Sequence, residues 1–142
     1  MGTDGKPGAS MRALKDMLSQ SHIYGADIDR DILFHEDRIM TSYVDQLDQT
    51  TFETMHKTFG RQNYNLIIDD GLHCIGANFN TLLFGLEHLA DDGWIVIEDI
   101  ALDRVDNWTI ISYVLSNIDD LMTYLVKARS GYMFVVHKYR SI

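Results

Sequence analysis

Apolar residues return every three or four positions at Met11, Leu14, Met17 and Leu18, a spacing that puts them on one face of a helix, with Ser10 placed as its N-cap. The ten residues up to Ser10 hold Gly2, Gly5, Pro7 and Gly8 and read as a loop. HIYGAD, residues 22–27, is an apolar run ending in acid and predicts a buried strand. Asp29 to Phe34 has room for one helical turn. RIMTSYV, residues 38–44, is rich in β-branched and aromatic side chains and predicts a second strand. Phe52, Met55 and Phe59 share one face of a helix over Thr50–Phe59, which Gly60 would stop.

The second half is sharper. NLIID, residues 65–69, predicts a strand that runs straight into Asp70-Gly71. Phe79, Leu82, Leu83, Leu86 and Leu89 form a stripe along a helix from about Cys74 to Leu89. Asp91-Asp92-Gly93 reads as a turn before the strand WIVI and the acid pair Glu98-Asp99. Val105, Trp108, Ile111, Leu115 and Ile118 mark a last helix, and YLVKA and YMFVVHKY flank Ser130-Gly131 as a terminal β-hairpin. Strands alternating with helices, the strands nearly continuous in apolar residues, give an α/β fold. Its sheet is expected to be mostly parallel, covered on both faces, and closed by an antiparallel hairpin. No repeat or linker divides the chain, so 1–142 reads as a single domain.

Composition narrows the chemistry. At 142 residues with 46% hydrophobic, the chain can bury a core, and no run approaches the length of a membrane span. Twenty-one acids against twelve bases give a net charge of −9, which argues against a nucleic-acid partner. One cysteine excludes a disulfide framework and suits a reducing cytoplasm; MGTDGKPGAS has no signal-peptide pattern.

The acids also have an address. In open α/β sheets ligands bind beyond the carboxyl ends of strands, and each expected strand ends in acid: Asp27 and Asp29, Asp45 beside Gln46, Asp69 and Asp70, Glu98 and Asp99. The plain explanation is that loops are polar and that acids suit helix N-termini. Repeated at four strand ends, the pattern also describes an edge that repels itself unless it meets a cation or a donor-rich ligand. Asp70, Glu98 and Asp99 make an oxygen-only set suited to a hard divalent cation such as magnesium. His73 is placed either to take a proton near neutral pH or simply to sit in the loop before the helix. His22, His35, His56, His88 and His137 lack acid partners and read as surface or packing residues, and Cys74 as a small buried side chain.

The succession IYGADID, VDQ-x-D, NLIIDDG-x-H and GWIVIEDI resembles the class I S-adenosylmethionine-dependent methyltransferases. More narrowly, it is similar to the macrocin and mycinamicin O-methyltransferases and the cephalosporin hydroxylase group. IDDG-x-H with IEDI is the specific part, and the separation of Asp70 from Glu98 is the one expected of metal-dependent members. The resemblance implies a Rossmann-like, seven-stranded sheet with cofactor and metal at its carboxyl edge. It implies that Asp70, Glu98 and Asp99 hold Mg2+ and that His73 is the general base. Asp27 would accept the ribose hydroxyls of S-adenosylmethionine, with Asp29 beside it. Asp45 and Gln46 would lie near the adenine, with Asp69 on the cofactor's side. Gly2, Gly5 and Gly8 would belong to the loop around the methionine end.

Two departures are expected to matter. Leu72 stands where these proteins usually carry a serine. The usual first strand, which would lie between the strands ending at Asp27 and Asp70, has no counterpart. The implied activity is methyl transfer to a hydroxyl of a sugar or secondary metabolite, a small-molecule acceptor, with no membrane or nucleic acid as partner. The alternative is a degenerate methyltransferase-fold domain that binds or forms a homo-oligomer without catalysis. Its sheet could rearrange so that the Asp27 and Asp70 strands pair directly. A hydroxylase is disfavoured, because no two-histidine, one-carboxylate iron triad is evident.

Overall fold

The computed structural model describes residues 6–140, in two units that divide between Arg61 and Gln62. In the first, α1 (Ala9–Met17) precedes β1 (Ile23–Asp27), a single 3-10 turn (Arg30–Ile32), β2 (His35–Glu36), β3 (Ile39–Tyr43) and α2 (Gln49–Phe59). β3 is central, parallel to β1 and antiparallel to β2. The two-residue β2 carries no alternation to read, and the sequence pattern misses it. Helix α2 buries Phe52, Met55 and Phe59; Asp48 caps its start and Gly60, at φ 61°, ends it in the left-handed conformation a glycine adopts freely.

Ser10 does not cap α1. It lies within the helix, and the cap is Gly8 at φ 78°, with no side-chain hydrogen bond. A side chain there would also collide with Phe34, since a Cβ would lie 2.3 Å from its ring. Backbone conformation and space both select glycine at this position.

The second unit runs β4 (Tyr64–Asp69), α3 (Ile75–His88), β5 (Leu89–Ile100), a 3-10 turn (Leu102–Arg104), α4 (Val105–Leu115), β6 (Leu121–Lys127) and β7 (Tyr132–Lys138). The strand order is β4-β5-β7-β6, with β4 parallel to β5 and β7 antiparallel to both its neighbours. Asp91-Asp92-Gly93 is not a turn before a strand. Helix α3 ends at His88 and Leu89 pairs at once with Tyr64, so no separate connection exists; the acids loop out within β5 before pairing resumes between Leu66 and Trp94.

Two expectations about the sheet need correction. The resemblance implies one seven-stranded sheet, but the described strands form sheets of three and four. β1 and β4 are each outermost in the sheet of their own unit. Nor do the helices of the second unit cover both faces of its sheet. From β4 to β5, and from β5 to β6, the crossovers step in the same direction, and right-handed crossovers of that kind put both helices on one face. There Leu82 of α3 and Trp108 and Leu115 of α4 pack on Ile95, Ile97, Phe134 and Val136. On the other face Leu66, Ile68, Trp94, Met122, Tyr124 and Val126 remain about two-fifths exposed. In the α3 stripe, Leu82 is buried while Phe79 and Leu83 are partly exposed.

Trp108, with its ring centroid 4.7 Å from that of Phe134, is the largest fully buried side chain. Trp108→Ala is expected to destabilise the protein by about 3–5 kcal/mol, read as a lowered midpoint in denaturant unfolding. A loss well under 1 kcal/mol would mean the α4 face does not hold the sheet.

Candidate active site

Asp69 of β4 lies opposite Ile97 of β5 in a parallel pair, so Asp70 and Glu98, the next residues out, leave the sheet side by side. β5 then departs from regular pairing. Its register with β7 shifts between Ile97 and Ile100, where three steps on β5 match two on β7. Asp99 sits in that bulge at φ 52°. Bulges re-aim side chains at the ends of strands, and His73 across the way also has φ 52°. Left-handed backbone is uncommon at non-glycine residues, and two of the five among the described residues border this cluster.

The result is a cluster. Ligand atoms of Asp70, His73 and Asp99 all lie within 4.8 Å of one another, and His73 Nε2 is 3.7 Å from Asp70 Oδ1. Glu98 falls outside that trio but feels it. Partial burial pushes its carboxyl above the usual range, the charges of Asp70 and Asp99 push it further, and His73 opposes them. Two carboxylates, a third nearby with a raised pKa, and one imidazole form a donor set that fits a hard divalent cation. Within the imidazole the nitrogens differ: Nδ1 is buried with no hydrogen-bond partner among the described residues, while Nε2 faces the acids.

Three residues support this arrangement. Asp69 is buried, and its carboxylate accepts from the Gly71 N–H at 3.1 Å and from Asn78 Nδ2 at 3.0 Å, which fixes the turn out of β4. Arg104 Nη1 donates to the His73 carbonyl at 2.6 Å. Neither Asn78 nor Arg104 is singled out by sequence pattern; an amide on the α3 stripe and an arginine beside Asp103 read as ordinary surface. Cys74 is partly exposed rather than buried and stands as the N-cap residue of α3, without a side-chain bond.

The acids expected at the cofactor belong to the first unit. Asp27 closes β1, and one of its oxygens accepts from the Asp29 N–H at 2.9 Å; the other has no partner among the described residues. Asp29 in turn caps the 3-10 turn by accepting from the Asp31 N–H. Asp45 accepts from the Leu47 N–H at 2.9 Å, with Gln46 between them, partly buried. Gly2 and Gly5 lie outside the described residues, and Gly8 is the cap of α1.

No protein-family model and no curated protein matches the chain. Solved structures do. The MycE methyltransferase of the mycinamycin biosynthetic pathway, in complex with Mg and SAH, matches with a TM-score of 0.72 at 22% identity, over 98% of this chain and 42% of that one. The fold is that of the class I methyltransferases. The plantazolicin methyltransferase BpumL shares it (TM-score 0.66, 10% identity, 95% of this chain and 74% of that one). So does a methyltransferase from Geobacter sulfurreducens (TM-score 0.53, 16% identity, 96% and 80%). The chain thus spans less than half the length of MycE. Among the described residues no helix of this methyltransferase fold is long and apolar enough to cross a membrane.

The raised pKa of Glu98 makes a prediction for the metal-free protein. Folding favours its protonated form, so stability falls as pH rises from the ordinary carboxylate range through the raised value. Glu98→Gln should therefore be the more stable protein at neutral pH in EDTA, with the difference gone in acid below that range. Urea unfolding at both pH values measures it, and a neutral-pH loss of stability would contradict the assigned burial and repulsion.

Proposed function

We propose that the chain serves S-adenosylmethionine-dependent, Mg2+-assisted O-methyl transfer to a hydroxyl of a sugar or secondary metabolite. The observation that carries this reading is the convergence of Asp70, His73 and Asp99 within 4.8 Å at the carboxyl edge of a methyltransferase fold. When bound, S-adenosylmethionine supplies an already activated methyl group, and the cation acidifies the acceptor hydroxyl.

The protein's own tasks are then few. Asp70 and Asp99, with Glu98 beside them, would hold the cation. Nε2 of His73 would take the acceptor's proton, since Nδ1 is shut away from the cluster. The unpartnered oxygen of Asp27 suits a ribose hydroxyl, with Asp29 bracing it from the next turn. Asp45 and Gln46 would border the adenine, and Gly8 with Gly2 and Gly5 the methionine end. Net negative charge suits a cationic cofactor. We place the activity in the cytoplasm, where a single free thiol stays reduced.

One observation favours a second reading, a non-catalytic module: the exposed apolar face around Leu66, Trp94 and Tyr124 is what a self-associating protein would cover. The same assays separate the two. Calorimetry should show S-adenosylmethionine binding, and methyl transfer should be abolished by EDTA and by Asp70→Asn. His73→Gln should lower kcat by about 10²–10⁴-fold while cation binding persists. Absence of cofactor binding, with light scattering giving a dimer, would replace the enzyme reading with the module.

A further inference from the structure

The two segments that bring the cluster together, 70–74 after β4 and 98–104 at the end of β5 and beyond it, are joined by one side chain. Arg104 Nη1 donates to the His73 carbonyl across 31 positions of sequence, at 2.6 Å, a short bond of the charge-assisted kind. His73 needs such a tie. Its backbone is left-handed at φ 52°, a conformation that costs a side-chain-bearing residue energy and relaxes unless something holds it. The imidazole does not hold it: among the described residues Nδ1 has no partner, and Nε2 at 3.7 Å from Asp70 is beyond hydrogen-bond reach. Arg104, for its part, makes no ion pair among the described residues although Asp103 and Asp106 flank it. Its charge is spent on this carbonyl.

We infer that Arg104 is a positioning residue, which by gripping the His73 carbonyl keeps the imidazole turned toward Asp70 and Asp99. The inference rests on the reading of that cluster as the cation-holding and proton-accepting end of the site. Arg104 touches neither cation nor acceptor in this account; it acts through His73.

The test uses the full chain with Arg104→Met and Arg104→Lys and three measurements. These are the unfolding midpoint, Mn2+ affinity by calorimetry, and the backbone coupling constant of His73 in metal-free protein, which reports its φ. Arg104→Met should unfold much as the parent does, lose the left-handed coupling at His73, and bind Mn2+ about 10–100-fold more weakly. Arg104→Lys, which keeps a charged donor, should recover most of both. Should the methionine variant not fold, Arg104→Gln takes its place with the same expectation, because its shorter side chain does not reach. A folded variant with unchanged His73 coupling overturns the inference. If the parent itself binds no Mn2+, the functional reading fails, while the metal-free coupling still decides the role of Arg104.

Discussion

Mutual repulsion of carboxylates is the constraint on which the second unit turns. Two such charges about 4 Å apart repel by about 1 kcal/mol in bulk water and about 4 kcal/mol at the effective dielectric of a protein surface. Asp70, Glu98 and Asp99 are nevertheless brought to one place. Apolar pairing forces them there: Ile67, Ile95, Ile97, Phe134 and Val136 pack as one core with α3 and α4, and the register that satisfies them leaves Asp70 beside Glu98. Partial burial first, and then the charges of Asp70 and Asp99, hold the Glu98 carboxyl above its usual range. A cation would resolve the repulsion, which is why the cluster, more than any single residue, carries the functional reading.

The acids at strand ends divide into two kinds. In the first unit most are occupied locally: Asp29 and Asp48 accept from backbone N–H groups two residues on, as do Asp27 and Asp45, the familiar turn and cap chemistry of aspartate. For these the plain explanation of polar loops accounts for much of what is seen, and a ligand would meet only the oxygens left over. In the second unit only Asp69 is used this way. Among the described residues Asp70 and Asp99 accept no backbone hydrogen bond and instead face His73.

Much of this was legible in the sequence. Among the described residues periodicity located every α-helix and all strands but the two-residue β2, though it began β5 at Trp94 rather than Leu89, and the doubled acids after NLIID and WIVI marked the edge where the cluster forms. What stayed hidden depends on pairing partners that lie far apart in the chain. The bulge that turns Asp99 arises from the mismatch between β5 and β7, the loop-out at Asp91–Gly93 from that between β5 and β4, and the grip of Arg104 from two loops meeting. The partly exposed sheet face was equally invisible, because apolar strands look the same whether helices of their own unit cover one face or both.

Residues 70–73 and 98–99 are proposed to form one cation site. Manganese titrated into isotopically labelled protein tests it most directly, through paramagnetic broadening of amide signals. Gly71, Leu72, His73, Asp99 and Ile100 are expected to broaden first and together, with excess Mg2+ restoring them. Broadening scattered over acidic residues of both units, or absent from these five, would contradict it.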